Sequence, residues 1–444
     1  MSAEGPEGER RPRVLPAGYV TDGVPGIGGR LKARPEDFLV DEQPLYLPCG
    51  EGEHVYLYIE KRQMSTFELI GLVAKHFRVG RSAVGHAGLK DKQAVTRQLL
   101  SVHVPGRSVE DFGMIQHARV RVEWADMHTN KLRPGQLKGN RFVIRVRDVS
   151  PTAALNADRA LRGLMRTGVP NRYGEQRFGA VWRNHLVGAA HVVGDWKGVC
   201  DGLLSMSAVF ADIDAESREA YDRGEYARAF ETMPRAAATE RRVLRVLADG
   251  GDFERAAAAV QDRELTFFQS AMQSAVFNEV LDRRLTEGRL SDLGDGDVAW
   301  KHDNGSLFDV DGEALGAGDL DARLARFEVS PSGPLWGPQM KRARGGVDDV
   351  ELASLREFGL TPPDLERADA EGRLFQRGSR RPLRVALADV EVEGGMDEHG
   401  GYVKCAFDLP PGSFATVVMR EVMKTDLIDP AKPELGRAGE RFDA

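Results

Sequence analysis

The period of the hydrophobic pattern changes twice along this chain, and that change limits the architectures open to it. In the first third, DFLVDE, HVYLYIE, RQLLSVHV and RFVIRVRDV alternate apolar and polar residues, the two-residue repeat of half-buried strands. From about 185 to 290 the repeat becomes helical, through RAAATERRVLRVLADGG, FERAAAAV and FFQSAMQSAVFNEVLDRRL. Strand patterns return at PLRVALADVEVE and YVKCAFDL, and a closing helix is predicted from near Ser413 to about Lys424. Strand segments at both ends with helices between them predict an α+β fold, in which one mainly antiparallel sheet domain is interrupted by a helical insertion. With 444 residues the chain exceeds what a single core usually serves, which fits two domains.

Local signals place the first helices. Ser65 and Glu68 form a capping box ahead of an apolar stripe of Leu69, Ile70, Val73, Ala74 and Phe77, with Gly80 as the stop. A second helix is predicted from Thr152 to about Thr167, ended by Gly168 and Pro170. In VAWKHDNGSLFDV, Asn304 and Gly305 predict a hairpin turn.

Charge and cysteine usage narrow the function classes. The net charge of −7 does not by itself suggest a polyanionic partner, but its distribution is uneven. Residues 131–183 hold twelve Lys/Arg against three Asp/Glu, while 287–324 hold three against ten, so one region is basic and another acidic. Cys49, Cys200 and Cys405 are far apart and form no CxxC pair, which argues against a disulfide framework or zinc site and fits a reducing cytoplasm. No segment has the apolar length of a membrane span, and the first residues lack a signal-peptide core. The ten histidines show no metal-ligand spacing and no phosphate-binding glycine loop occurs, so no metal or nucleotide cofactor is expected.

Three stretches carry residues suited to catalysis or ligand contact. In His86-Ala-Gly-Leu-Lys-Asp-Lys, Asp91 lies between Lys90 and Lys92 in a turn between strands, where flanking cations favour the ionised carboxylate that a nucleophile or base requires. A solvated hairpin turn would carry the same residues, and the second aspartate of a magnesium-dependent aspartyl hydrolase is missing, its place taken by Gln93. Lys138-Gly-Asn-Arg-Phe opens a strand whose Phe142, Ile144 and Val146 share one face while Arg141, Arg145 and Arg147 share the other. There Asn140 can read a base edge and Phe142 can stack on a base, although Phe142 taken alone reads as a core residue because it shares a face with Ile144 and Val146. Asn171-Arg-Tyr-Gly-Glu-Gln-Arg-Phe-Gly179 packs two arginines, two aromatics and two glycines into nine residues, a composition suited to phosphate contacts.

Taken in order, LKARPEDFLVDE, GLKDKQAVTRQ, KGNRF, NRYGEQRFG and LPPGSFATVVMREVMK make the chain resemble the tRNA pseudouridine synthase D (TruD) family across residues 31–424. The resemblance implies a discontinuous pseudouridine synthase domain over 21–170 and 381–430, a TRUD insertion domain over 171–380, and tails at 1–20 and 431–444. It implies that Asp91 is the catalytic aspartate and Lys32 the lysine paired with it. Phe38, Asn140, Phe142 and Phe414 then match substrate-contacting positions, and Lys90, Lys92, Arg172 and Arg177 are expected at the RNA backbone. One departure is Pro331-Ser-Gly-Pro334, where the family pattern has threonine before the glycine. The expected partner is tRNA, modified at uridine 13, with no obligate protein partner. A module of the same fold that binds or chaperones RNA without catalysis is the rival reading, and loss of Asp91 or Lys32 would have favoured it.

Overall fold

The alternating segments of both chain ends do join one sheet. The computed structural model describes Pro16, residues 18–207 and residues 213–425, so most of the two expected tails lies outside the described residues. The chain divides into two units, one made of 20–169 with 385–427 and the other containing Pro170–Arg384.

In the first unit, β1 (Phe38–Pro44), β2 (His54–Arg62), β3 (Val84–His86), β4 (Val95–His103), β5 (Val120–His128) and β6 (Leu137–Arg147) combine with a late hairpin, Ala388–Asp397 and Gly400–Leu409. The sheet runs from Ala388–Asp397 through Gly400–Leu409, β6, β1, β4 and β2 to β5, with β3 on the free part of β4's edge. Neighbours are antiparallel except β1 and β4, which run parallel.

Strand parity then sorts the side chains. Phe38 and Val40 of β1, Phe142, Ile144 and Val146 of β6, and Val403, Cys405 and Phe407 of the hairpin form one apolar face. Helix α2 (Ala154–Thr167) and the C-terminal helix Ala415–Met423 cover it. Helix α1 (Thr66–Phe77) covers the neighbouring stretch of Val55, Leu57, Ile59, Leu100 and Val102. Its capping box forms as the sequence predicts, but Arg78 in the left-handed region, rather than Gly80, ends it. Facing away from these helices, Asp41, Arg97, Glu60 and Arg121 stand opposite one another on four adjacent strands, a row of alternating charge.

Gly139 shows why the KGNRF stretch needs a glycine. A Cβ there would lie 2.5 Å from the Leu409 carbonyl of the paired strand.

The second unit is largely helical and centres on Asp262–Thr286. Its small sheet orders Ser379–Pro382, Val329–Leu335, Val298–Lys301 and Leu307–Asp309. PLRVALADVEVE is therefore not one strand: it is divided among Ser379–Pro382, Arg384–Val385 and Ala388–Asp397, and the break falls where the two units meet in sequence. The departure at Pro331–Pro334 is conservative in its chemistry. Ser332 donates to the Val298 carbonyl at 2.5 Å and accepts from Arg380 Nε at 2.8 Å, using the hydroxyl that a threonine would also offer.

Candidate active site

The GLKDK segment crosses from β3 to β4 without regular structure, and three cross-links hold it. Lys61 has the buried parity of β2 and is fully buried; its ammonium donates to the carbonyls of Met64 at 2.5 Å and of Asp91 at 3.0 Å. Burial pushes this ammonium down from its ordinary value to about 8, and the nearby Asp91 charge partly opposes the shift. Thr66 Oγ1 accepts from the Lys90 backbone N–H at 3.0 Å and donates to Gln98 at 3.1 Å. Lys90 turns inward to Glu42, 2.5 Å between charged atoms with both side chains buried. Glu42 in turn accepts from the Leu99 N–H at 3.1 Å.

With its backbone fixed in this way, Asp91 presents a carboxylate that is one-third exposed. One oxygen accepts from the Gln93 N–H at 2.8 Å, and the other forms an ion pair with Lys32. Lys32 reaches it from a strained position, at φ 50°, a conformation that costs a non-glycine residue about 1–3 kcal/mol. Arg147 anchors both sides of that position. Its backbone pairs with Arg30 at 2.9 Å in both directions, and its guanidinium grips the buried Asp37 at 2.6 Å.

Beside the ion pair lies an aromatic cluster whose Phe38 and Phe142 rings are buried, 3% and 8% exposed. Lys32 Nζ sits 4.6 Å from the centroid of the Phe38 ring, Phe38 meets Phe142 edge-on at 6.4 Å, and Phe142 rests on Phe407 at 5.8 Å. Asn140, two residues before Phe142, has a buried Oδ1 with no hydrogen-bond partner. A buried amide oxygen without a partner is costly in a folded chain and suits a group that receives a donor from a substrate. Phe414 precedes the C-terminal helix and is 44% exposed.

The structure thus brings Asp91, Lys32, Phe38 and Phe142 into one connected cluster. It corrects two calls on the RNA backbone and the reading of the basic strand. Lys90 does not face RNA, because its charge is buried against Glu42. Arg172 is buried in an ion pair with Asp282. Arg141 pairs with Glu391 at 2.7 Å and Asp408 at 3.1 Å, and Arg147 with Asp37 and Asp397, so most of the basic face of β6 is neutralised. Lys92 is exposed on the turn, and Arg177 is half-buried in the helical unit.

Sequence reasoning missed Lys61 and Glu42. Both carried a usable signal, since each is a charged residue with the parity of its strand's apolar positions, Val55, Leu57 and Ile59 for one and Phe38 and Val40 for the other. Among the described residues, no group of three His, Cys, Asp or Glu side chains is arranged to hold a metal ion, and no helix is long and apolar enough to cross a membrane.

Comparison with known proteins bears on this cluster. The family model for tRNA pseudouridine synthase D (TruD) matches residues 16–422. A tRNA pseudouridine synthase D from Geobacter metallireducens is 42% identical over 408 residues, covering 91% of this chain and 97% of the relative. One from Thermus thermophilus is 34% identical over 427 residues, 96% of each chain. A crystal structure of a Methanosarcina mazei protein described as a putative tRNA pseudouridine synthase D (TruD) superposes with a TM-score of 0.78 at 26% identity, covering 92% of this chain and 96% of its own.

Proposed function

Because this chain belongs to the tRNA pseudouridine synthase D (TruD) family, we propose that it isomerises a uridine of a cytoplasmic tRNA, at position 13, with Asp91 as the group that initiates the reaction. The observation that carries the reading is the Lys32–Asp91 ion pair beside the Phe38 and Phe142 rings.

The isomerisation breaks the bond between ribose C1′ and uracil N1, turns the base and joins C1′ to C5, and the C5 proton is lost to solvent as N1 gains one. Atoms and electrons balance within the nucleoside. A uridine in folded RNA must first leave its stack, which costs a few kcal/mol that aromatic contacts partly offset. Phe414 supplies an exposed ring, the buried Phe38 and Phe142 rings back the site beside the ion pair, and the Asn140 oxygen offers an acceptor for the uracil edge. Lys32 sets a positive charge directly against the Asp91 carboxylate. Lys92, exposed beside Asp91, is the cation of the turn placed to meet a phosphate.

The test is carbodiimide mapping of pseudouridine on unmodified tRNA transcripts incubated with the wild type and with Asp91→Asn. Product at position 13 with the wild type alone is expected, with tRNA binding retained by both. Product from both proteins would remove Asp91 from the chemistry, and binding by both without product would favour the RNA-binding module.

A further inference from the structure

The mechanism above leaves one half-buried cation unexplained. Arg177 sits in the short turn Glu175–Phe178 of the helical unit, where its guanidinium bonds to the Ser270 hydroxyl and lies 4.8 Å from the Phe267 ring centroid. Its Nε is buried and makes no hydrogen bond, and among the described residues no carboxylate pairs with it. A second guanidinium, Arg381, is close enough to oppose its charge. Both meet the Tyr173 ring, Arg177 at 6.0 Å and Arg381 at 4.5 Å. Burial lowers the Arg177 pKa from its ordinary value, as it should for a desolvated cation without a counter-ion.

The surroundings do not look like accidental packing. Tyr173 is fixed by a two-way backbone clamp from the buried Asn278, at 3.0 Å each way, and Arg381 is held at 2.5 Å by the Asn171 side chain. Tyr173, Arg177, Phe267, Ser270 and Arg381 are each half-buried, so the group is rigid and still reachable. Elsewhere in this unit, the buried Arg172, Arg284 and Arg380 pair with Asp282, Asp297 and Glu351, while the buried Arg218 and Arg384 donate to backbone carbonyls; the Arg177 Nε has neither kind of partner. A buried charge is normally paired, and an apolar side chain would fill the place of Arg177 at lower cost.

We propose that Arg177 and Arg381, on the face of Tyr173, form a phosphodiester subsite that holds the RNA backbone on the helical unit. A phosphate supplies the missing negative charge and suits the planar donors of two guanidiniums. The half-buried Tyr173 and Phe267 rings suit the adjoining nucleotide. The subsite rests on the reading that the substrate is RNA, and it involves none of the residues around Asp91.

The experiment measures binding of an unmodified tRNA transcript to the full chain across a range of KCl, for the wild type, Arg177→Gln, Arg177→Lys and, as a surface control, Arg228→Gln, whose side chain is 56% exposed. Thermal melting checks each fold. Arg177→Gln is expected to reduce the slope of log K against log salt by about one, to weaken binding about tenfold at physiological salt, and to raise KM without changing kcat. Arg177→Lys should keep the slope and lose affinity at least threefold, because lysine lacks the forked donors. A folded glutamine variant with wild-type slope and affinity would overturn the subsite, as would an equal loss in Arg228→Gln. If the glutamine variant does not fold, a lysine variant that binds like the wild type overturns it instead. A wild type that makes no pseudouridine, yet binds tRNA with the Arg177-dependent slope, would refute the proposed activity while supporting the subsite.

Discussion

Replacing Lys61 by methionine separates two effects that the structure combines in one side chain. The substitution keeps most of the volume and removes two donations, to the Met64 carbonyl at 2.5 Å and to the Asp91 carbonyl at 3.0 Å. Charge-assisted bonds of this kind contribute about 1.5–3 kcal/mol each, but the variant also escapes the cost of burying an ammonium. That cost follows from the shift itself, from 10.5 down to about 8, or about 3 kcal/mol at neutral pH. The two effects largely offset each other, so global stability at pH 7 should change by no more than about 3 kcal/mol. Their pH dependence does not cancel. The folded pKa is depressed, so between about 8 and 10.5 the unfolded chain binds more protons and stability from this group rises with pH. Urea unfolding at pH 7 and pH 10 should therefore show the wild type gaining about 2–3 kcal/mol relative to Lys61→Met. The variant's kcat should fall about tenfold to a hundredfold, because the turn that carries Asp91 loses its brace and small misplacements are costly in catalysis. A stability difference that stays flat from pH 7 to pH 10, or a kcat within twofold of the wild type, would refute the reasoning.

Two further outcomes concern the helical unit. Arg380→Met leaves Glu351 buried without its 2.5 Å partner and should cost about 3–5 kcal/mol, whereas adding Glu351→Leu should recover most of that loss in urea unfolding. His185 lies edge-on to the Phe178 and Phe358 rings, where burial pushes its pKa down to about 3, and burial lowers His191 to about 4. Below pH 6.5 the unfolded chain takes up protons that the folded rings refuse, so stability falls with pH, by about 2 kcal/mol per ring between pH 7 and pH 5. His185→Phe should remove one such increment, and an unchanged pH dependence of unfolding would count against it.

What could be read from the sequence was whatever depends on near neighbours. The capping box at Ser65 and the parity of β6 are local regularities, and both appear in the structure. The destinations of the charges were not legible, because each depends on a partner far along the chain. Lys90 looked like one of a pair of exposed cations around Asp91, but the register of β1 places Glu42 beneath it. Arg141 and Arg147 looked like a phosphate-binding face, yet Asp408 and Asp397 come from a hairpin about 250 residues later. The resemblance supplied Asp91 and Lys32, and the structure added what fixes them in place: Lys61, Thr66 and Arg147.

That dependence on distant segments has a consequence for how the site is assembled. The Phe38–Phe142 pair is backed by Phe407, so the ring nearest Lys32 is supported through a strand that follows the whole insertion. The segment leading toward Lys32 is tied to the same late region, where the buried Glu421 accepts the N–H groups of Val20 at 3.0 Å and Thr21 at 3.1 Å. A chain ending before 385 would leave β6 as an unpaired edge, with Phe142, Ile144 and Val146 stripped of their covering helix Ala415–Met423. The turn that carries Asp91 is braced by residues within 42–99, but the position of Lys32 is not. Holding Lys32 against the carboxylate therefore draws on contacts about 400 residues apart in sequence, and contacts of such long range carry the largest loop-closure cost in folding.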